Sequence, residues 1–143
     1  MAKIFRTMRK DPDDKPTIGA TRDCLGVRVA IDVDVDSSGN VELNGKGMSV
    51  SPGLDAFPHF LVPRRSQEFF PRATGSNSLF CFAMGDGPFV AGIVAQGLVL
   101  IPDSPTHGVV TPEGGEVAAL TTYQANLAAT REEWKIDEAV EDP

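Results

Sequence analysis

The sequence predicts an α+β fold in which short strands joined by turns are followed by a helix near the carboxyl end. Three observations predict it. Fourteen glycines and eleven prolines are scattered through the 143 residues rather than gathered into one linker, which breaks the chain into many brief elements. Several short runs are rich in β-branched and aromatic residues, some alternating apolar with polar positions. Only one segment, near the end, spaces its apolar residues as a helix does. Strands that outnumber helices, with little strand–helix alternation, place the chain among α+β or mostly-β folds.

The first strand is read at Lys3–Met8. Alternation there puts Ile4, Arg6 and Met8 on one side and Phe5 and Thr7 on the other. If Ile4 and Met8 face the core, Arg6 needs a partner or a ligand, because an unpaired buried guanidinium is costly; the alternative is a surface arginine on an edge strand. Residues Val27–Val35 (VRVAIDVDV) alternate in the same way and predict a second strand. Ser37-Ser38-Gly39-Asn40 then reads as a turn into Val41-Glu42-Leu43. Met48–Val50 is the next strand, and its alternation places the Ser49 and Ser51 hydroxyls on one face, where they can line a polar cleft.

Further strands are expected at Ser78–Phe82, Phe89–Val94, Gly97–Ile101 and Gly108–Val110, with Gly85-Asp86-Gly87 a hairpin turn between Phe82 and Phe89. Thr121-Thr122-Tyr123-Gln124 has the form of a capping box, in which Thr121 and Gln124 bond each other's backbone amides. The helix it opens carries Leu120, Tyr123, Leu127 and Trp134 on one face, with Arg131, Glu132, Glu133 and Lys135 mainly outward. Residues 137–143 form an acidic tail expected to fray, which leaves 1–136 as a single domain.

Charge narrows the function classes. The formal charge is −7, yet residues 1–72 carry 11 basic and 10 acidic groups while 73–143 carry 2 and 10. A chain acidic overall is not expected to bind nucleic acid generally or an anionic membrane surface, but a local anion site in the first half stays open. Arg6, Arg64, Arg65 and Arg72 are its candidates. No apolar run is long enough to span a bilayer, and MAKIFRTMRKDPDD lacks the apolar stretch of a conventional secretory signal.

Cys24 and Cys81 sit in apolar contexts and read as buried reduced thiols of a cytosolic protein. No metal is expected. Asp32, Asp34, Asp36 and Gly39 imitate a calcium loop, but Gly45 stands where a bidentate glutamate is required. A strand with carboxylates on its solvent face accounts for the same residues. His59 and His107 have no Gly-x-Ser-x-Gly elbow to join in a hydrolase triad.

Three segments in order carry a resemblance: Ile4-Phe5-Arg6, then Gly47-Met48-Ser49-Val50, then Leu100-Ile101-Pro102-Asp103 followed by His107 through Tyr123. Together they resemble the ADP-ribosyltransferase-like toxins delivered by bacterial type VI secretion. The resemblance implies a split antiparallel β-sheet with a C-terminal helix and a cleft for NAD between the sheet halves. It implies catalytic roles for Arg6, Ser49 and His107. Arg6 would hold a phosphate or ribose, Ser49 would brace the nicotinamide ribose, and His107 would bond a ribose hydroxyl or steer the acceptor.

Ser51, Arg64 and Arg65 join Arg6 and Ser49 as cofactor-binding candidates. The implied protein acts in the bacterial cytoplasm, delivered without a conventional signal, breaks the nicotinamide glycosidic bond, and has a cognate immunity protein. Related transferases set a glutamate on or beside the third strand, where negative charge stabilises an oxocarbenium-like state. Here Glu113 and Glu116 fall in a turn after Val110-Thr111-Pro112. The alternative is a non-enzymatic β-rich binding or structural module.

Overall fold

A computed structural model describes residues 1–114 and 118–138. Among these the elements run β1 Ile4–Met8, β2 Asn40–Val41, β3 Met48–Val50, β4 Phe80–Met84, β5 Gly92–Ala95, β6 Leu98–Ser104, β7 His107–Pro112, β8 Ala118–Ala119, α1 Leu120–Ala129 and β9 Lys135–Ile136. The molecule is α+β, with antiparallel sheets and a helix near the carboxyl end. One sheet has the order β1-β4-β9, a second β3-β7-β6-β5, and a two-stranded ribbon joins β2 to β8.

Alternation in β1 and β4 feeds two cores. Ile4 and Met8 from β1, with Phe82 and Met84 from β4, enter the main core with Leu98, Leu100, Val110, Tyr123, Leu127 and Trp134. The opposite face sends Phe5, Cys81 and Ala83 into a second core with Leu54, Val62 and Ala73. That second core is roofed by the segment after β3, which folds as three 3-10 turns at Leu54–Ala56, His59–Leu61 and Arg64–Ser66. The two larger sheets meet at one bridge, where the Phe5 and Ser51 amides each donate to the other's carbonyl at 2.8 and 2.9 Å.

Helix α1 contains neither glycine nor proline and is rich in alanine and leucine, which favour the helical backbone. It buries Tyr123 and Leu127. The Tyr123 hydroxyl donates to the Val110 carbonyl at 2.5 Å and accepts from the Met48 amide at 3.1 Å, locking the helix to β3 and β7. Burial pushes that phenol up to about 12.

Several expectations need correction. Val27–Val35 is not a strand. The Asp32 carboxylate accepts the Arg28 amide at 2.7 Å and both arms of the Arg28 guanidinium at 3.1 Å, so a side chain takes the backbone out of any ladder. The chain turns there with Ala30 at φ 69, which leaves Val29 and Ile31 exposed while Val27 and Val33 are buried. The turn at 37–40 does form, closed by Asp36, whose side chain accepts the Ser38 and Asn40 amides.

Gly85–Gly87 is not a hairpin turn, because β4 and β5 belong to different sheets. The segment lies instead against the amino terminus, where Gly85 (φ 82) approaches Ala2 so closely that a Cβ would come within 2.0 Å of its carbonyl. The capping box is also absent. Ala119 is the helix boundary, with no side-chain cap, and Gln124 brackets Val27 instead, accepting from its amide at 3.3 Å and donating to its carbonyl at 3.0 Å.

The helix stops at Ala129, short of Trp134. A 3-10 turn at Arg131–Glu133 returns Trp134 to the core, where its indole donates to Thr130 Oγ1 at 2.9 Å. Arg131 turns back onto Asp11 and Asp13 rather than outward. Of the acidic tail, Asp137 pairs with Lys3 at 2.9 Å and Glu138 with Arg65, so these two residues are tied down. The rest of the tail, residues 139–143, lies outside the described residues, as does Glu116.

Candidate functional site

The cleft begins where β1 and β3 part. Past the Phe5–Ser51 bridge, an antiparallel ladder would next pair the backbones of Thr7 and Ser49. Instead the Ser49 carbonyl accepts from Arg6 Nη1 at 2.8 Å. The Arg6 side chain thus spans the gap between the two sheets. Its other donors reach the carbonyl of Cys24, from Nε at 3.2 Å and Nη2 at 3.1 Å, and that of Arg22, from Nη2 at 3.1 Å.

These four bonds use four of the five guanidinium N–H groups. One N–H of Nη1 is left over. Among the described residues no carboxylate touches the group, and its hydrogen-bond partners are all carbonyls. Desolvation pushes it down to about 10, with the field of Asp32 acting in the opposite direction, and it stays cationic at neutral pH.

Arg6 opens onto a cleft of about 230 Å³ that Ser49, Ser51 and His107 also line, with Arg22 as a second cation. The β3–β7 register explains the meeting. Ser49 pairs with Val109 and Val50 with Gly108, so the next rung sets Ser51 opposite His107. Ser49 is exposed and Ser51 buried. His107 opens β7, and its Nδ1 lies 2.8 and 2.9 Å from the two carboxylate oxygens of Asp103, at the end of β6. With Nδ1–H donated to Asp103, a neutral imidazole presents Nε2 as an acceptor.

Arg64 and Arg65 do not line this cleft. Arg65 is spent on Glu138, on the carbonyls of Asn77 and Leu79, and on the ring of Phe80, 4.1 Å below the guanidinium. Arg64 is exposed in the same 3-10 turn. Glu113 lies past the far end of β7 from His107, about 20 Å along the strand.

Two participants escaped the sequence reading. Arg22 sits in a loop without pattern and carries no signal. Asp103 had one, an acid four residues before His107.

The aspartates that imitate a calcium loop all have protein partners. Asp34 pairs with Lys46 at 3.0 Å and with Asn44 at 2.8 Å, while Asp32 and Asp36 serve the turns described above. No group of three or more His, Cys, Asp or Glu is placed to hold a metal among the described residues, and no helix among them is long and apolar enough to cross a membrane. Cys24 and Cys81 are buried and unpaired. Burial, with Glu138 and Asp137 adding to it, pushes the Cys81 thiol well above its usual range.

Fold and cleft together define an α+β protein of antiparallel sheets, with a basic, hydroxyl-lined cleft at the junction of its two larger sheets. Comparison with family profiles, with curated proteins and with solved structures gives no match in any of the three.

Proposed function

We propose that the chain is an ADP-ribosyltransferase-like toxin domain that binds NAD in the Arg6 cleft and breaks its nicotinamide glycosidic bond. The observation that carries this reading is the meeting of Arg6, Ser49, Ser51 and His107, drawn from three strands, in one cleft. These residue types suit the ligand. Arg6 offers a spare N–H from an otherwise saturated, carboxylate-free guanidinium, and with Arg22 makes the cleft attractive to a phosphate.

The Ser49 and Ser51 hydroxyls bond and orient a ribose. His107 Nε2 accepts from a ribose hydroxyl while Asp103 fixes the ring. The volume of about 230 Å³ suits the nicotinamide-ribose half, with the remainder of the dinucleotide outside. When bound, NAD supplies a glycosidic bond whose leaving group is neutral nicotinamide. No carboxylate lines the cleft among the described residues, and the negative charge that favours an oxocarbenium-like state would come from Asp103, acting through His107.

The reading includes action in a bacterial cytoplasm and a cognate immunity protein. It is tested by NAD binding and nicotinamide release in the wild type, Ser49→Ala and His107→Ala. Saturable binding and release in the wild type, lost in both variants, support it. Absence of NAD binding by the wild type overturns it.

The lack of a lining carboxylate favours a second reading, a non-enzymatic β-rich binding module. That alternative is supported by absence of growth arrest on expression in a bacterial cytosol together with absence of a thermal shift on adding NAD.

A further inference from the structure

A larger cavity, of about 540 Å³, shares Phe57 and Pro58 with the lining of the Arg6 cleft and is within the range of small-molecule sites. We propose that it is a second ligand site, for a small aromatic zwitterion of the free aromatic amino acid kind. The proposal does not rest on the reading of the Arg6 cleft. Its floor is the buried Leu54, Val62 and Ala73 of the second core, and Phe57 and Phe70 pack against that core as its walls. Rings set in such walls favour a flat aromatic guest, through offset or edge contacts added to the area buried.

The rim fixes the charge pattern of that guest. Arg72 and Asp55 both line the cavity, and neither has an ion pair or a side-chain hydrogen bond among the described residues, with each other or with any neighbour. By contrast, Arg9, Arg22, Arg28, Arg65 and Arg131 each reach a carboxylate. A ligand carrying both an anionic and a cationic head uses both rim groups, the carboxylate against the Arg72 fork and the ammonium against Asp55. A ligand with one charge leaves the other rim group partly desolvated with nothing against it.

Calorimetric titration of the full chain tests this with L-phenylalanine, 3-phenylpropionate, which lacks the amine, and phenethylamine, which lacks the carboxylate. L-phenylalanine should bind at least about tenfold more tightly than either analogue. Arg72→Ala should reduce it to the level of phenethylamine, and Asp55→Asn to that of 3-phenylpropionate. Both positions are exposed, and circular dichroism confirms that each variant folds. No saturable binding of L-phenylalanine at millimolar concentration, or binding that neither substitution alters, overturns the proposal.

Discussion

At the scale of single residues, Arg6 shapes both the fold and the cleft. Its guanidinium holds three carbonyls from two separate segments, Arg22 and Cys24 in one and Ser49 in the other. Arg6→Met should therefore destabilise the chain by about 3 kcal/mol, because those carbonyls lose charge-assisted partners in a buried place. Urea unfolding measures it, and a variant as stable as the wild type would show that the bonds contribute nothing net. A loss of ligand binding in Arg6 variants consequently mixes two causes. Ser49→Ala separates them, since the Ser49 side chain is exposed and its loss should change stability by no more than about 0.5 kcal/mol.

Tyr123 gives a pH signature. The folded chain holds the phenolic proton up to about 12, while an unfolded chain releases it near 10. Its contribution is complete below pH 10 and is lost as pH rises from 10 to 12, by roughly 2 to 3 kcal/mol at most. Tyr123→Phe should remove that part of the decline, read as the difference in unfolding free energy between about pH 9 and about pH 11.5. An unchanged decline would mean that the phenol does not keep its proton on account of the fold.

Arg6 also shows what one residue reveals in sequence. Alternation puts it on the side of Ile4 and Met8 and demands a partner only if that side faces the core, a choice that the sequence left open against a surface arginine on an edge strand. The identity of that partner is not legible, because Arg22 and Cys24 belong to a patternless loop and contribute carbonyls, which every residue possesses. Asp103 is half legible, since its separation from His107 is visible but the strand turn that joins them is not.

At the scale of elements, local side-chain chemistry decided where the pattern misled. Val27–Val35 has the alternation of a strand, yet Asp32 folds the chain back on the Arg28 amide and guanidinium. Alternation reports which residues are apolar, and cannot report that an aspartate four positions on will claim the backbone first. Thr121 and Gln124 pose the same problem at the helix start, where the capping pattern is present but the helix begins before it. Thr121→Ala should accordingly be neutral within about 0.5 kcal/mol, while Gln124→Ala should cost about 1 kcal/mol by releasing the Val27 amide and carbonyl. Urea unfolding of the two variants checks this, and the reverse order would restore the capping box.

Strands β1, β3, β6 and β7 were legible at least in their centres, since each places apolar side chains at every second position or in a continuous buried run. Their ends were less so. Strand β6 continues through Pro102 to Ser104, and β7 begins at His107, because the turn between them is tight and the ladder resumes at once.

At the scale of the whole molecule, the charge division takes on a spatial meaning. The basic half supplies Arg6 and Arg22 to the cleft and Arg72 to the larger cavity, while Arg65 and Lys3 hold Glu138 and Asp137. Asp137 and Glu138 are thereby tied to the β1–β4 sheet, where the Asp137 amide also donates to the Cys81 carbonyl at 2.8 Å and the Glu138 carboxylate accepts from the Cys81 amide at 3.2 Å. The convergence of three strands at the cleft depends on how two sheets part around a buried guanidinium. No spacing along the sequence encodes that parting, although the order of the three motifs is compatible with it.

The most direct measurement is NAD binding, followed by calorimetry and by nicotinamide release, in the wild type beside the Ser49→Ala variant. Saturable binding and release are expected of the wild type, with loss of both in a variant whose unfolding free energy is unchanged. A wild type that does not bind NAD, or a Ser49→Ala variant that binds and releases as the wild type does, would contradict this expectation.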